Sequence, residues 1–403
     1  MTSASGIFKQ VAYKVESVFG TAPSASGAQL LRRVSSDLSL KKDTYQSNEI
    51  RPDLQVANFR HGVRRAAGKI SGELSPKTYA DFFGAALKRD LAAITALSSV
   101  SLTIAGSGPA YTVTRSAGDF LASGIKVGHV VRLATGSLNA ANLNKNLLVV
   151  DMTATVLTVI PLNGVALVAE GPITGCGVAV PGKASYIPTT GHTNKSFSIE
   201  HYFADLTKSE VFTGCKVSSV NLTLPPTGMA TVDFDFMGKD VVTADAQYFT
   251  TPTAATTTGS LAAVNGVLRL NGTTYATVTG LNVTIAPAFS GDPVVGSNTI
   301  PELFAGKVTV SGQLTAYFDS VALRDAFMNE TEIDLMAAFT TDNTATADFI
   351  AIALPRIKLG GSDKSDGDGG IVATMPFTAL LNTAGGTGVK TEATTVQVQD
   401  SAA

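Results

Sequence analysis

The sequence predicts a mainly β protein: two tandem β-sandwich modules, each with a flanking helix, and a small all-β domain inserted into the first module. A strand-and-helix segment at residues 67–87 is repeated, with changes, at residues 305–327. Short runs that alternate apolar and polar residues fill much of the chain, as half-buried strands do. Between residues 95 and 187 these runs continue while charged residues become sparse, which indicates a separate inserted domain.

The repeated segment defines the architecture, because a self-similar period marks a structural unit that occurs more than once. The stretch AGKISGEL at 67–74 corresponds to AGKVTVSGQL at 305–314, with two extra residues in the second copy, so that Ser71 matches Ser311. In both copies the strand leads into a short amphipathic helix. The sequence therefore predicts two copies of one module.

Composition limits the possible functions. The 403 residues have room for roughly two or three domains, and 44% of them are hydrophobic, which excludes a disordered chain. Only 15% are charged, against roughly 25% in typical soluble domains, so the chain either sits in an assembly or relies on hydroxyl groups for its surface. The formal net charge of −2 argues against a general nucleic-acid-binding surface. Cys176 and Cys215 form no CxxC pair, which argues against a zinc site and a disulfide framework.

No targeting or membrane segment is expected. The opening MTSASGIFKQ lacks the basic and apolar regions of a signal peptide. The most apolar stretch, residues 147–169, is interrupted by Asp151 and by several Thr and Asn residues, so it is not expected to span a bilayer. The sequence predicts a soluble protein in a cytoplasmic setting.

The elements of the first module are predicted in chain order. Residues 1–30 are rich in Gly, Ala and Ser and are predicted to form an arm. Residues 31–40 alternate as a strand does. The charged segment 41–66 shows neither the two-residue period of a strand nor the 3.6-residue period of a helix, which predicts a long functional loop. A strand at 67–75 and a helix from about 76 to 90 follow. The inserted domain comes next, and we expect it to project outward and to be dispensable for assembly.

The second module repeats this order after a Thr-rich linker. A strand at 274–287 takes the place of 31–40, and a loop at 288–304 takes the place of 41–66. The polar end of the chain is predicted to be a second arm. The predicted boundaries are 1–30 for the N-terminal arm, 31–94 and 188–248 for the first module, 95–187 for the inserted domain, 249–270 for the linker, 271–385 for the second module and 386–403 for the C-terminal arm.

No motif in the sequence predicts a catalytic residue, a cofactor or a metal. Residues 177–184, GVAVPGKA, come close to a phosphate-binding P-loop, but Ala184 stands where a Ser or Thr is required, so a β-turn with a surface lysine is the simpler interpretation. An acidic turn lacks the distal Glu of a calcium loop and is interpreted as a solvated hairpin turn; its carboxylates are Asp363, Asp366 and Asp368. The histidines lie outside known catalytic motifs and are predicted to be surface or interface residues; they are His61, His129, His192 and His201.

Two stretches resemble the tail tube proteins of long-tailed bacteriophages: SNEIRPDLQVANFRHGVRRAAGKISGELSPKTYADFFGAAL (47–87) and VSSVNLTLPPTGMATVDFDF (217–236). The resemblance implies β-sandwich modules that join edge to edge, so that their inner sheets close into one barrel around the channel through which the genome leaves. It also implies rings that stack through a long loop and the terminal arms. The protein would then lie in the virion tail after assembly in the host bacterial cytoplasm. The inserted domain and the doubled module depart from single-module relatives.

Strand alternation predicts which side chains line the channel. Side chains that face away from the core should line it, because ring closure pairs the sheet edges and places that face inside. The predicted lumen-facing residues are Asp37, Ser71, Glu73, Ser75, Asp233 and Asp235. Such a wall is polar and net acidic. Genomic DNA should pass it without specific binding, because a basic wall would hold DNA through counterion release.

The charged loop 41–66 is predicted to reach the neighbouring ring. Its RHGVRR run could touch phosphates, but three arginines on one loop of a nearly neutral protein favour acids on a neighbouring protein surface. We expect the arginines of the loop to pair with acids of the next ring. The predicted inter-ring residues are Arg51, Phe59, Arg60, Arg64 and Arg65.

The doubled module predicts the number of chains in a ring. Relatives with one module per chain form six-fold rings, and the diameter of a barrel depends on its strand number. Two modules per chain therefore predict a homotrimer with pseudo-six-fold symmetry, with a homohexamer as the alternative. Other tail proteins are expected at the tube ends, and no membrane is expected. A rival interpretation is a secreted tandem β-sandwich adhesin or carbohydrate-binding protein. The missing signal peptide and the absence of Trp count against it, and an enzyme ranks third.

Overall fold

The computed structural model describes residues 3–274, 277–319, 321–365 and 368–403. The described chain is mainly β, which confirms the fold class predicted from the sequence. Most strands belong to one connected, largely antiparallel sheet system, and six further strands close into a barrel. Within these described ranges, neither helix has the length and apolar character needed to cross a membrane.

The elements follow the chain in this order. The first part of module 1 contains β1 (Lys9–Val15), β2 (Ser26–Leu30), β3 (Ser35–Ser36), β4 (Ser39–Gln46), β5 (Phe59–Glu73) and α1 (Ala80–Ala86). The inserted domain contains β6 (Leu97–Ser107), β7 (Ala110–Arg115), β8 (Val130–Ala134), β9 (Leu147–Met152), β10 (Val156–Pro161) and β11 (Glu170–Ala179). Module 1 resumes with β12 (Lys183–Tyr186), β13 (Phe197–Phe203), β14 (Lys208–Leu224), β15 (Thr231–Gly238), β16 (Asp240–Ala244) and β17 (Thr251–Thr253). Module 2 contains β18 (Gly266–Leu270), β19 (Thr273–Thr274), β20 (Val278–Ser290), β21 (Phe304–Tyr317), α2 (Ala322–Met328), β22 (Ile333–Thr340), β23 (Phe349–Leu359), β24 (Asp363–Lys364), β25 (Val372–Ala379) and β26 (Gln397–Asp400).

Module 1 is a sandwich whose two sheets share the long strand β14. The N-terminal half of β14 pairs with β13 and β16, and its C-terminal half pairs with β15. The inner sheet continues from β15 to β5 and then to β3 and β4. The Phe82 ring of α1 packs against the rings of Tyr13, Phe197 and Phe234, with centroids 4.7, 5.1 and 5.3 Å away. These aromatic contacts fix the helix on the sandwich.

The helix α1 is shorter than the predicted segment 76–90. The residues before Ala80 form turns, and Pro76 cannot supply the backbone donor of a helix interior. Asp81 lies in the first turn, where a negative charge complements the helix dipole, and its carboxylate accepts a hydrogen bond from the Tyr13 hydroxyl at 3.0 Å. Lys88 adopts a φ of 58°, so the chain leaves the helix there in the left-handed conformation.

Module 2 has the same strand order as module 1. β23 corresponds to β14: its N-terminal half pairs with β22 and β26, and its C-terminal end pairs with β25. The inner sheet continues from β25 to β21 and β20. α2 follows β21 as α1 follows β5. The repeat in the sequence is thus also a repeat of strand order in the structure.

The inner sheets of the two modules join within the chain. The end of β14 pairs antiparallel with β20, from Val220 opposite Ile285 to Leu224 opposite Leu281. The result is one continuous sheet in the order β3 and β4, β5, β15, β14, β20, β21, β25 and β23. We call the β14–β20 contact the module junction.

The inserted domain is a closed six-stranded barrel in the order β10, β7, β6, β11, β8 and β9. Its two ends meet where the backbones of Ala92 and Ala184 exchange two hydrogen bonds of 2.9 Å. The barrel packs on module 2, where Val130 and Leu148 share one apolar cluster with Phe349. Part of its outer surface therefore belongs to a core that it shares with module 2. Its outward projection from an assembly stays a prediction.

Both predicted arms are strands of the sandwich, so the arm predictions are wrong. β1 pairs along its whole length with β13, and Tyr13 is buried. β26 lies between β12 and β23, and Val396 and Val398 are buried. Neither strand shows an apolar alternation, because β1 buries three consecutive residues and the four buried residues of β26 include three polar ones. Residues 1–2 of the predicted N-terminal arm lie outside the described residues.

The predicted linker 249–270 is packed rather than free. Phe249 is buried, and the Leu261 N–H donates a 2.8 Å hydrogen bond to the Leu74 carbonyl. β17 pairs with β2, and β18 pairs with β22, so the end of the predicted linker belongs to the sheet of module 2. Within the predicted strand 274–287, residues 275–276 lie outside the described residues.

Candidate functional site

One face of the continuous inner sheet is polar across both modules. Directly opposed positions on six neighbouring strands carry short polar side chains: Ser71, Asp233, Asn221, Thr284, Ser311 and Thr378. The next row carries Glu73, Thr231, Thr223, Asn282 and Gln313. The opposite face is buried and apolar at Ile70, Phe234, Val220 and Ile285. Strand alternation explains this division, since successive side chains point to opposite faces. We call the exposed side the polar face.

The module 1 part of the polar face holds a small cluster of charges. The Lys69 ammonium lies 3.2 Å from the Asp233 carboxylate. The Asp37 carboxylate accepts a hydrogen bond from the Lys69 N–H, and the Asp37 N–H donates to the Lys69 carbonyl at 3.0 Å. Partial burial raises the pKa of Asp235, and the nearby Asp233 and Asp37 carboxylates raise it further, while Lys69 opposes them. Each exposed ion pair contributes only about 0–1 kcal/mol. The cluster therefore affects the local charge of the polar face more than the free energy of unfolding.

The structure places five of the six predicted lumen residues on or beside the polar face. Asp37, Ser71, Glu73, Asp233 and Asp235 lie there with exposed or half-buried side chains. What that face meets in an assembly stays a prediction.

Ser75 does not belong to the polar face, and its assignment is wrong. The side chain is buried, and its hydroxyl lies 2.7 Å from the Thr78 hydroxyl. β5 ends at Glu73, so the strand alternation no longer applies two residues later. Two lysines also lie on this face and are not among the predicted residues. Lys69 follows the same alternation as Ser71, and Lys358 lies opposite Thr378.

The segment 41–66 is a long β-hairpin, not an irregular loop. β4 and β5 pair from Ser39 opposite Ala67 to Gln46 opposite Phe59, which leaves residues 47–58 as the tip. The sequence hid β4 because most side chains on both of its faces are solvent-exposed, so no apolar alternation is needed. At the tip, Ile50 and Leu54 are almost completely exposed, and Val56 is more than half exposed. Exposed apolar patches of this kind mark contact surfaces.

The arginines of the hairpin find acids in their own chain. Arg51 pairs with Asp53 at 2.8 Å. Arg65 pairs with Asp43 at 3.1 Å. Arg64 pairs with Asp240 at 2.6 Å. These three arginines are therefore already paired within the single chain, and their contact with acids of another ring stays a prediction.

The remaining two predicted inter-ring residues lie near the hairpin tip. Arg60 is exposed opposite Tyr45, and the Phe59 ring packs edge-on against His61, with centroids 5.2 Å apart. Their contact with another ring stays a prediction.

The corresponding loop of module 2 is bound within the chain. Ile300 and Leu303 pack against Val63 at the base of the hairpin. The Lys216 ammonium donates to the Glu302 carboxylate and to the Leu303 carbonyl, both at 2.7 Å. The C-terminal end of the module 2 loop is therefore anchored within the chain, whereas its residues 292–298 are exposed, as the tip of the module 1 hairpin is.

Among the described residues, the other sequence candidates do not come together in a chemical site. Within the described ranges, no group of three metal-ligating side chains is found, and Asp366 of the acidic turn lies outside those ranges. Lys183 of the P-loop-like run belongs to β12, a strand rather than a helix start.

Two of the histidines are buried within the chain, so their prediction as surface or interface residues is wrong. Burial lowers the pKa of His129 to about 4, with Lys126 adding to the effect. Burial likewise lowers the pKa of His201 to about 3, with help from the charges of Lys9 and Arg33. Both side chains are therefore neutral structural groups at ordinary pH.

The comparisons with known proteins agree with this fold. The family model described as phage tail tube protein matches residues 9–379, a range that includes module 1, the inserted domain and module 2 up to β25. Among curated proteins, no match is found. The family match confirms the resemblance carried by residues 47–87 and 217–236. The chain therefore belongs to the phage tail tube protein family, whose members are structural proteins of the bacteriophage virion.

Proposed function

We propose that three copies of the chain close into a ring and that stacked rings form the tube through which the phage genome is ejected. The observation that carries this proposal is the module junction, where two modules pair edge to edge inside one chain. A chain built in this way still has a module edge at each end, and open sheet edges are protected when a ring closes. If the ring holds six modules, as the resemblance implies, three chains give closed three-fold symmetry with a pseudo-six-fold wall. A homohexamer is the alternative.

The polar face supports the role of a channel wall. Hydroxyl and amide side chains cover most of it, and its carboxylates outnumber its ammonium groups. DNA gains affinity for a surface mainly by releasing counterions to clustered cations. A wall with few cations therefore releases few counterions and binds DNA weakly, so the genome passes without specific contacts.

The hairpin supports the role of a stacking element. Its tip, residues 47–58, carries exposed apolar side chains on an arm that extends beyond the sandwich. Burial of such side chains against the next ring is favourable by about 25 cal/mol per Å² of apolar surface. The contact repeats around each ring, so the small favourable free energies of the individual contacts add.

The proposed setting is the virion tail, after assembly in the host bacterial cytoplasm, with other tail proteins at both tube ends. The role is mechanical, and it involves neither catalysis, a cofactor nor a membrane. The family match supports the tail location, and the low charge content supports a chain that is largely buried in an assembly.

The chain number is best tested on rings that cannot stack. Replacing Ile50 and Leu54 by Ser removes exposed apolar contacts without touching a core, so we expect folded protein that forms single rings. Native mass spectrometry should give three times the 41.5 kDa chain mass. Val168→Ser, an exposed apolar change in the inserted barrel, should still give tubes in electron micrographs. Rings of six chains would contradict the trimer, and a native protein that remains monomeric at high concentration would contradict the ring itself.

A further inference from the structure

We propose that the cleft beside Lys88 binds a small organic carboxylate, with the Lys88 ammonium and the Thr395 hydroxyl bound to the carboxylate group and an apolar wall around the rest of the ligand. The cleft has a volume of about 570 Å³, within the range of roughly 300–1,000 Å³ that small-molecule sites occupy. We call it the Lys88 cleft. All of its lining residues belong to one chain, so this inference does not depend on the proposed ring.

The Lys88 cleft lies where the two modules meet. Module 1 supplies Lys88, just after α1, and residues between β12 and β13. Module 2 supplies the start of β21, together with Leu381 and Thr395 from the segment between β25 and β26. The Thr193 N–H donates a 2.8 Å hydrogen bond to the Lys88 carbonyl. The walls are therefore packed segments of both modules, and a ligand would find the cleft largely formed.

Lys88 is a buried cation without an acceptor. Its side chain is 2% exposed, and its ammonium has no hydrogen-bond partner among the described residues. A lysine ammonium carries three donors and no acceptor, and buried charges in proteins are normally paired. The position therefore lacks an anion.

The surroundings of Lys88 add to this excess of positive charge. The Lys88 ammonium lies 3.9 Å from the ring centre of Phe289, and the Lys216 ammonium lies 5.6 Å from the same ring centre. The Glu302 carboxylate accepts a 2.7 Å hydrogen bond from Lys216 and so neutralises one of the two cations. Burial, together with the Lys216 charge, lowers the pKa of Lys88 to about 8. Most Lys88 side chains are still charged at neutral pH, so one positive charge remains without a counter-ion.

The aromatic ring of Phe289 does not replace an anion. A cation over an aromatic face is attracted by the ring, but the ring accepts only one of the three ammonium donors. The cost of removing an ammonium from water is offset only when an opposite charge and further hydrogen bonds satisfy it. A carboxylate supplies both, because it is negative and offers two acceptor oxygens.

Thr395 provides a second, independent donor at the same cleft. Its hydroxyl oxygen is buried and has no hydrogen-bond partner among the described residues, and the residue borders the Lys88 cleft. The preceding Thr394 hydroxyl accepts a 3.1 Å hydrogen bond from the Ile187 N–H, which joins the two sides of the cleft. A hydroxyl can donate to a carboxylate oxygen. Two unsatisfied polar groups thus border one cleft, and a single carboxylate would satisfy both.

The other walls favour an organic ligand over an inorganic anion. The apolar lining residues are Ile187, Pro188, Val308 and Leu381. An inorganic anion would leave this surface against water, whereas the apolar chain of an organic carboxylate would cover it. The exposed Lys307 also lines the cleft and adds a cation that favours the approach of an anion.

The repeat shows that the module does not need a charge at this position. Ser71 matches Ser311, and continuing this alignment matches Lys88 with Met328. Both residues lie at the end of the helix of their module. Methionine has an unbranched side chain of similar length without a charge. The fold of the module therefore accepts a neutral side chain here, and the charge of Lys88 has a role that the fold does not explain.

Octanoate is the probe, because it joins one carboxylate to a short apolar chain. Isothermal titration calorimetry of the full-length protein should show one saturable site per chain. 1-Octanol has the same chain without the charge, and inorganic phosphate has charge without the chain. Each should bind at least about tenfold more weakly than octanoate, since each loses one of the two kinds of contact.

Variants identify the residues that bind the probe. Lys88→Met should abolish octanoate binding, while the melting temperature of the free protein stays equal or rises, because a buried unpaired charge is removed. Octanoate should raise the melting temperature of the wild type and leave that of Lys88→Met unchanged. Thr395→Val keeps the shape of the side chain and should weaken binding by about two- to tenfold. The matched control is Lys183→Met, a change at an exposed lysine outside the cleft, which should bind octanoate as the wild type does.

Several results would overturn the inference. Absence of saturable octanoate binding removes the site, and equal binding of 1-octanol or phosphate removes its specificity for an organic carboxylate. Wild-type affinity in Lys88→Met removes the role of the lysine. If that variant does not fold, Thr395→Val decides, and its unchanged affinity contradicts the assignment. Binding by the single chain but not by assembled tubes would exclude a free ligand and assign the cleft to a carboxylate side chain of a neighbouring copy.

Discussion

Single residues explain where the sequence pattern succeeds and where it fails. Ser71, Asp233 and Asp235 were placed correctly on one face because β5 and β15 are regular strands there. Ser75 was misplaced because the strand ends two residues earlier and the chain turns towards α1. Lys69 could be assigned to the polar face from the sequence alone, since it follows the same alternation as Ser71. The sequence therefore predicts which face of the sheet a residue occupies within a strand, but it does not predict the residue at which the strand ends.

The side chain of Glu16 should be essential for the stability of module 1. It is buried, and its carboxylate accepts hydrogen bonds from the Ser196 and Ser198 hydroxyls at 2.6 and 2.8 Å and from the Gly20 and Gly214 N–H groups at 2.8 Å. Glu16→Ala leaves these donors without their acceptor. Because an unpaired buried donor costs about 1–3 kcal/mol, we expect the free energy of unfolding in urea to fall by about 3 kcal/mol or more.

A control for this change lies on the hairpin tip. Glu49 is exposed, so Glu49→Ala should alter the free energy of unfolding by no more than about 0.5 kcal/mol. Equal losses in the two variants would contradict the assignment of Glu16 as a buried acceptor that ties the first strand to the sandwich.

At the scale of elements, the sequence predicts strands with one buried face and misses strands of other kinds. β15 can be recognised from the sequence because Val232, Phe234 and Phe236 alternate with polar residues. β4 was missed because solvent surrounds most of it. β26 was missed for the opposite reason: the buried side chains of Gln397 and Gln399 are polar, and they bond to backbone groups of the inserted barrel. Such long-range hydrogen bonds do not affect the local alternation of apolar and polar residues from which strands are predicted.

The inserted barrel should stabilise module 2, contrary to the expectation from sequence. Replacing the segment between Ala92 and Ala184 by a short Gly/Ser bridge keeps the chain path, since these residues already meet. The deletion exposes Ala338, Phe349 and Ala351, which the barrel now covers. We therefore expect a lower melting temperature and aggregation of the variant, measured by scanning calorimetry and light scattering.

A deletion of the hairpin tip provides the matched control. Residues 47–58 lie outside the paired strands and are mostly exposed, so their replacement by a tight turn should leave the melting temperature close to that of the intact chain. If the chain without its barrel melted normally and assembled into tubes, the shared core would not matter and the original expectation would be restored.

For the whole molecule, the repeat in the sequence was the most informative feature. It predicted two modules, and the structure adds how they meet: β14 and β20 form one sheet across the module boundary. The seating of the inserted barrel on module 2 could not be predicted, because it depends on contacts between residues about 200 positions apart, such as the 2.8 Å hydrogen bond from the Asn146 amide to the Ala347 carbonyl. Strand order within a module follows from local patterns, and contacts between modules do not.

The central claim is that the module junction is the repeating contact of a closed ring. Electron cryomicroscopy of the assembled tube tests it most directly. We predict three chains and six modules per ring, with the row from Ser71 to Thr378 facing the channel. Six chains in one ring, or a channel lined by the inserted barrels instead of the polar face, would contradict it.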